Sequence, residues 1–172
     1  RKGIVLAVDW AALDCVVVGE ASNGEEALDA VERLSPSLII TDLKMPRMDG
    51  IEMLRRLREA GIQPILMNLP PLLSQWFFDW WCRNLDQAAV RTWLGDVSNI
   101  YAHQERYSRA VESLAREERV PLVDVRGAFL AHGHLETLLC EDGTHPNSAG
   151  QALIGQAFRK FAEAQKSLPE TA

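Results

Sequence analysis

Two residues near the end of the chain carry the densest chemistry. Asp142 and His145 stand three apart in Asp142-Gly143-Thr144-His145-Pro146-Asn147, so a tight glycine-containing turn lets a carboxylate meet an imidazole, and Pro146 fixes the start of the helix that follows. A paired acid and base of this kind is the core of general acid–base chemistry. A second carboxylate, Asp42, ends the apolar run Ser37–Thr41, ahead of a helix whose N-terminus favours negative charge. Other groups are weaker signals. His132 and His134 form an HxH in a glycine-containing stretch with no nearby carboxylate cluster, which reads as a solvated loop rather than a metal site. Trp76, Trp80, Trp81 and Trp93, with Phe77 and Phe78, fit an acyl or glycan pocket and a packed lid equally well. Arg55, Arg56 and Arg58 make a solvated basic helix face, and His103 is a surface residue of a later helix. Cys15, Cys82 and Cys140, an odd number widely spaced, suggest neither disulfides nor a zinc site and read as core thiols in a reducing cytoplasm.

These groups need elements to hold them. Cys15–Gly19 is a short β-branched run, after which Asn23 caps a helix with Glu26 reaching back and Ala27, Val31 and Leu34 forming its apolar stripe. Ser37–Thr41 is a second strand-like run, followed by a Met45-Pro46 turn and a helix from about Asp49 to Ala60 that Gly61 closes. Pro64–Met67 is a third run, ending at Asn68 before a proline- and tryptophan-rich loop. Tyr101–Glu118 is helical, with Tyr107, Val111 and Leu114 on its stripe; Pro121–Val125 is a fourth strand, and Ser148–Ala164 an amphipathic closing helix. Continuous apolar strands alternating with helices argue for a parallel sheet covered on both faces, with ligands at the carboxyl ends of the strands.

The bounds are those of a small α/β protein. The 172 residues amount to about one domain. Eighteen basic against 24 acidic residues leave a net charge of −6 and a pI near 5.2; neither nucleic acid nor an anionic membrane is an expected partner. No apolar run reaches the roughly 20 residues that span a bilayer, and no leader pattern precedes a cleavage site, so a cytoplasmic protein is expected. Of twelve aromatic residues only Trp10 precedes residue 61, a composition break without a linker that suggests two sources of sequence in one fold.

The stretch VVGEASNGEEALDAVERLSPSLIITDLKMPRMDG from Val17 to Gly50 resembles the receiver domain of bacterial two-component response regulators, particularly those linked to AraC-type output domains, over about residues 1–60. That resemblance implies Asp42 as phosphoacceptor, Lys44-Met45-Pro46 and Asp49-Gly50 as the loop beside it, Mg2+ as the ion that neutralises the transferred group, and a sensor kinase as partner. It departs from the family at three points. The opening RKGIVLAVDW looks like the family's first helix, so the first strand with its acidic pair is expected to be missing. Asn68 replaces a small hydroxyl residue, and Asp124 and Arg126 stand where a lysine belongs.

From about residue 62 the chain resembles the C-terminal part of an SGNH (GDSL-type) hydrolase, on PILMNLPPL, the Trp80-Trp81 cluster, YSRAVESLAREERVPLVDVRGAF and LLCEDGTHPNSAGQALI. The resemblance implies His145 as the general base that activates a serine and Asp142 as the group that orients its imidazole. No Gly-Asp-Ser block supplies the nucleophile, and no Gly-x-Asn-Asp block supplies the oxyanion-hole asparagine. Ser22 is the nearest surrogate nucleophile, one place too late. Asp42 takes the strand end of the oxyanion turn, where a carboxylate repels developing charge.

Both families use a five-stranded parallel sheet in the order 2-1-3-4-5, so the expectation is one flavodoxin-like three-layer α/β/α domain with its central first strand missing and a seam at about Glu59–Gln63. The functional expectation is an SGNH-type carboxylic-ester hydrolase scaffold that keeps the Asp142–His145 dyad without its nucleophile, inactive or a fragment, with a small ester as substrate class and no resident cofactor. The alternative is a non-enzymatic receiver module acting through Asp42. A homodimer through an unpaired sheet edge is a further expectation.

Overall fold

The computed structural model describes Val5 and residues 9–42, 47, 48 and 50–166. The chain is α/β and divides into two compact units, Arg1–Pro64 and Ile65–Ala172. The Met45-Pro46 turn, Lys44, Asp49 and most of the opening RKGIVLAV lie outside the described residues.

In the first unit, a short 3-10 turn at Ala11–Leu13 precedes helix α1, Gly24–Leu34. The start of α1 is written in its caps. Asn23 accepts the Glu26 N–H at 3.0 Å, and the Glu26 carboxylate reaches back to the Ser22 N–H and the Asn23 amide, each at 2.9 Å; the reciprocal bond falls one residue earlier than in the usual capping box. Helix α2 runs Gly50–Glu59, and Gly61, at φ +80°, follows its end as a left-handed residue that glycine adopts without strain. The core is a seam between these helices: Met48, Met53 and Leu57 are buried, with Ala27, Leu28, Val31, Ile39 and Ile62 packed against them. Gly24 makes room for it, since a Cβ there would sit 2.8 Å from the Met48 Cβ.

The two strand-like runs of this unit do not form strands. Cys15–Gly19 and Ser37–Thr41 pair with no ladder among the described residues. Val16 is 78% exposed, and Leu38 and Ile40 are 70% and 65% exposed. Apolar β-branched sequence supplies only a side-chain preference; a strand needs a neighbour for its N–H and C=O groups, and no described segment provides one.

The second unit contains the parallel sheet, two strands of two residues: β1, Leu66–Met67, and β2, Leu122–Val123, in register Leu66 to Leu122 and Met67 to Val123. Between them lie α3 (Ser74–Trp81), α4 (Gln87–Leu94) and α5 (Ser98–Glu117); after β2 come α6 (Val125–His132) and α7 (Ser148–Lys166). The tryptophan-rich stretch is therefore helical rather than a loop. Its second helix starts at Asp86, whose carboxylate accepts the Ala88 and Ala89 N–H groups at 3.0 and 3.1 Å. His132 closes α6 instead of lying in a loop, and Tyr107, placed on the α5 stripe from sequence, is exposed and stands edge-on to His103. The buried residues of α5 are the small Ser108 and Ala115. Cys15 and Cys140 are exposed and Cys82 half-buried, so none is a core thiol.

One face of this unit's core is apolar. Val123, Val125, Phe129, Leu138 and Leu139 are buried together, with Leu73, Leu153, Ile154 and Phe161 packed against them. At the carboxyl end of the sheet, however, a polar residue holds the joint. Asn68 is buried; its amide Nδ2 donates to the carboxylates of Asp124 at 2.7 Å and Glu112 at 3.1 Å, and its Oδ1 accepts the Arg126 N–H at 2.9 Å. Both donors of that amide and its carbonyl oxygen are engaged. Asp124 also caps α6 through the Gly127 N–H at 2.8 Å. Among the described residues no helix is long and apolar enough to cross a membrane.

Candidate active site

The dyad turn is built from Leu138 to Asn147. An isolated antiparallel bridge joins Leu139 and Pro146, the Cys140 N–H donates to the His145 carbonyl at 2.8 Å, and the Asn147 N–H donates to the Leu138 carbonyl at 2.9 Å. Asn147 then clamps both sides. Its Nδ2 donates to the carbonyls of Thr137 and Leu139, while its Oδ1 accepts the N–H groups of Ala149 and Gly150 at the start of α7. Gly143 is required twice over. It sits at φ +70°, and a Cβ there would lie 2.7 Å from both the Phe77 N and the Trp76 Cβ, and 2.8 Å from the Leu73 carbonyl oxygen. The turn thus rests on the first turn of α3, and the Leu73 N–H donates to the Gly143 carbonyl at 2.9 Å.

This scaffold presents the pair. The Asp142 Oδ2 is hydrogen-bonded to Nδ1 of His145, and its Oδ1 accepts the backbone N–H groups of Thr144 and His145, each at 3.0 Å. The Asp142 side chain is 13% exposed and that of His145 70%. Burial pushes the Asp142 carboxyl up, but the hydrogen bonds from the His145 ring and from the two backbone N–H groups outweigh it and hold the carboxyl below its usual range. An ionised carboxylate only accepts, so the proton of the shared hydrogen bond resides on Nδ1. In the neutral ring the Nε2 lone pair is then the basic site, and among the described residues no hydrogen bond engages it.

The other sequence-derived positions fall elsewhere. Ser22 is exposed in the first unit, immediately before the cap of α1. Asp42, also exposed and in the first unit, accepts the Thr41 hydroxyl through its main-chain carbonyl at 3.2 Å. His134 pairs with Glu136 at 3.0 Å, and among the described residues no group of three or more His, Cys, Asp or Glu side chains is arranged to hold a metal ion. Sequence reasoning passed over Asn147 as a clamp, although an asparagine directly before a helix is a capping signal. A cavity of about 350 Å³, lined among others by Asn68, Glu112 and Asp124, opens beside α5 and contains no residue of the dyad turn.

The second unit is thus a parallel α/β unit with an Asp–His pair on the turn before its last helix. Residues 41–153, about two thirds of the chain, match the GDSL-like lipase/acylhydrolase family, and the chain belongs to that family. Residues 3–68 match the response regulator receiver domain, so the sequence is a hybrid in which residues 41–68 satisfy both families. Among curated proteins it is similar to the nitrate/nitrite response regulator protein NarL of Escherichia coli (strain K12), with 47% identity over 62 residues, 36% of this chain and 28% of NarL. It is also similar to protein-glutamate methylesterase/protein-glutamine glutaminase 1 of Methanospirillum hungatei JF-1, with 45% identity over 62 residues, 36% of this chain and 18% of the relative. The same-named protein of Syntrophus aciditrophicus is 53% identical over 51 residues, 30% of this chain and 15% of its own length. The chain spans less than a third of each of these relatives.

Proposed function

We propose that the second unit carries the acid–base half of a carboxylic-ester hydrolase, with His145 as general base and Asp142 as the group that sets its tautomer, and that these 172 residues alone turn over no ester. The observation that supports this is the Asp142–His145 hydrogen bond with two backbone N–H groups fixing the carboxylate behind it. A base in this tautomer deprotonates a serine hydroxyl delivered to Nε2 and later protonates the leaving group. Within the sequence no Gly-Asp-Ser block delivers such a hydroxyl, and no Gly-x-Asn-Asp block supplies an oxyanion donor. Hydrolysis of p-nitrophenyl acetate, a small activated ester, tests the reading. The expected rate equals that of the His145→Ala variant. Turnover that His145→Ala abolishes overturns it, and loss in Ser22→Ala would identify the nucleophile.

The receiver match over residues 3–68 favours a second reading, in which Asp42 accepts a phosphoryl group from a sensor kinase. Retained phosphotransfer is nonetheless not expected. Asn68 stands where the receiver family has a small hydroxyl residue, and Asp124 and Arg126 where it has a lysine, so a transferred group would lack its usual charge neutralisation. Incubation with acetyl phosphate and Mg2+ followed by intact-mass measurement is expected to leave the protein unmodified. A gain of one phosphoryl group that Asp42→Asn removes would restore the receiver function.

A further inference from the structure

Arg126 is a buried cation whose cost the fold does not explain. It is 5% exposed, its Nη2 has no hydrogen-bond partner, and no carboxylate meets its guanidinium among the described residues. A buried guanidinium left this way destabilises relative to an apolar side chain of similar volume. What it does touch is specific. Nη1 donates to Gln104 Oε1 at 2.8 Å, and the guanidinium carbon lies 4.9 Å from the centre of the Tyr101 ring. Gln104 and Tyr101 are the two residues of α5 that hold the segment following β1: the Gln104 Nε2 donates to the Pro70 carbonyl, and the Tyr101 N–H donates to the Ser74 hydroxyl at 3.2 Å. That segment carries Leu73, whose N–H donates to the carbonyl of Gly143, the residue next to Asp142, and whose own carbonyl oxygen leaves no room for a Cβ there. The backbone of Arg126 is fixed in turn by Asn68.

We infer that Arg126 is a positioning residue for the Asp142–His145 pair: it braces Gln104 and Tyr101, they hold the segment 69–74, and that segment fixes the turn on which the pair meets. The inference rests on the reading of the pair as an acid–base unit. Displacement of the seat by a fraction of an ångström loosens the hydrogen bond to Nδ1 while leaving the apolar core of Val123, Phe129 and Leu139 in place.

Long-range 1H–15N spectra of the full chain, recorded above the titration of the ring, report which nitrogen of His145 carries the proton. The wild type is expected in the Nδ1–H form, and Asp142→Asn to shift it towards Nε2–H. Arg126→Met is expected to lower the Nδ1–H to Nε2–H ratio by about threefold to tenfold, the range set by one hydrogen bond of ordinary net strength, with a melting temperature within about 4 °C of wild type. Gln104→Met, which removes the next link and the guanidinium's hydrogen bond to it while leaving Arg126 in place, is expected to do the same. Phe129→Leu, a core variant, is expected to lower the melting temperature and leave the ratio unchanged. An unchanged ratio in both Arg126→Met and Gln104→Met, or an equal fall in Phe129→Leu, overturns the inference. An Asp142→Asn spectrum identical to wild type overturns the reading of the pair itself.

Discussion

Replacing Gly143 by alanine puts the seating of the dyad turn to a quantitative test. Alanine in a left-handed conformation costs roughly 1–2 kcal/mol against the ordinary basins, and Gly143 stands at φ +70°. The added methyl would also lie 2.7–2.8 Å from the Phe77 nitrogen, the Trp76 Cβ and the Leu73 carbonyl oxygen. Two of the three are backbone atoms of the α3 start, so the turn must lift away and lose the Leu73–Gly143 hydrogen bond, worth about 1 kcal/mol more. Gly133 supplies the control. It has a similar positive φ, +81°, and nothing within 4 Å of the position of a Cβ. Gly133→Ala is therefore expected to cost only the conformational penalty, and Gly143→Ala about 1–2 kcal/mol beyond it. Urea unfolding followed by tryptophan fluorescence is the assay, since four of the five tryptophans lie in the second unit. Equal midpoint shifts for the two variants at unchanged slope would refute the claim that the turn is seated on α3.

Asp142→Asn is expected to destabilise more at pH 7 than at pH 3. The depressed Asp142 carboxyl stabilises the fold above the unfolded-state carboxyl range and loses that contribution as pH falls through its own lower value; urea melts at the two pH values check the sign. Asn147→Ala removes two hydrogen bonds to the Thr137 and Leu139 carbonyls and two to the start of α7, and a loss of about 2–3 kcal/mol is expected in the same melts. In the first unit, Met53→Ala is expected to cost about 2–5 kcal/mol and Ile40→Thr less than about 0.5 kcal/mol, because Met53 is buried and Ile40 is 65% exposed; hydrogen exchange of α1 amides reads the difference.

What could be seen in the sequence was what is decided locally. The Asp142–His145 contact is encoded within the six residues Asp142–Asn147, and the cap of α1 within Ser22–Glu26, so spacing pointed to both contacts, though not to the seat of the turn on α3. The runs Cys15–Gly19 and Ser37–Thr41 misled because their composition fits a strand while ladder pairing depends on a neighbour elsewhere in the chain. Helix α3 was hidden for the opposite reason: Trp76, Phe77, Phe78, Trp80 and Trp81 surround most of it, leaving no narrow stripe to mark the helical period, and prolines precede it. On α5 the hydrophobic ranking chose Tyr107, yet close packing selects small residues, Ser108 and Ala115. The Arg126–Gln104 contact spans 22 residues and joins polar side chains, a pairing that periodicity does not register.

The overlap of the two family matches shows why such a hybrid is tolerated as sequence. Composition breaks sharply near residue 61, yet residues 41–68 satisfy both families. That stretch holds α2 and β1, and each answers to undemanding rules: an amphipathic helix presenting Met53, Leu54 and Leu57, then a short apolar strand. Neither element has to supply chemistry, so two unrelated families accept the same solution there. Outside it lie the caps and turns that fix the flanking elements. On one side Asn23 and Glu26 fix α1; on the other Asp142, Gly143, His145 and Asn147 fix a turn in which only a narrow choice of residue fits each position. The geometry of the dyad turn is therefore carried by capping and turn residues, and Gly143→Ala is expected to disturb the Asp142–His145 pair, whereas exchanges among the apolar residues of α2 leave it intact.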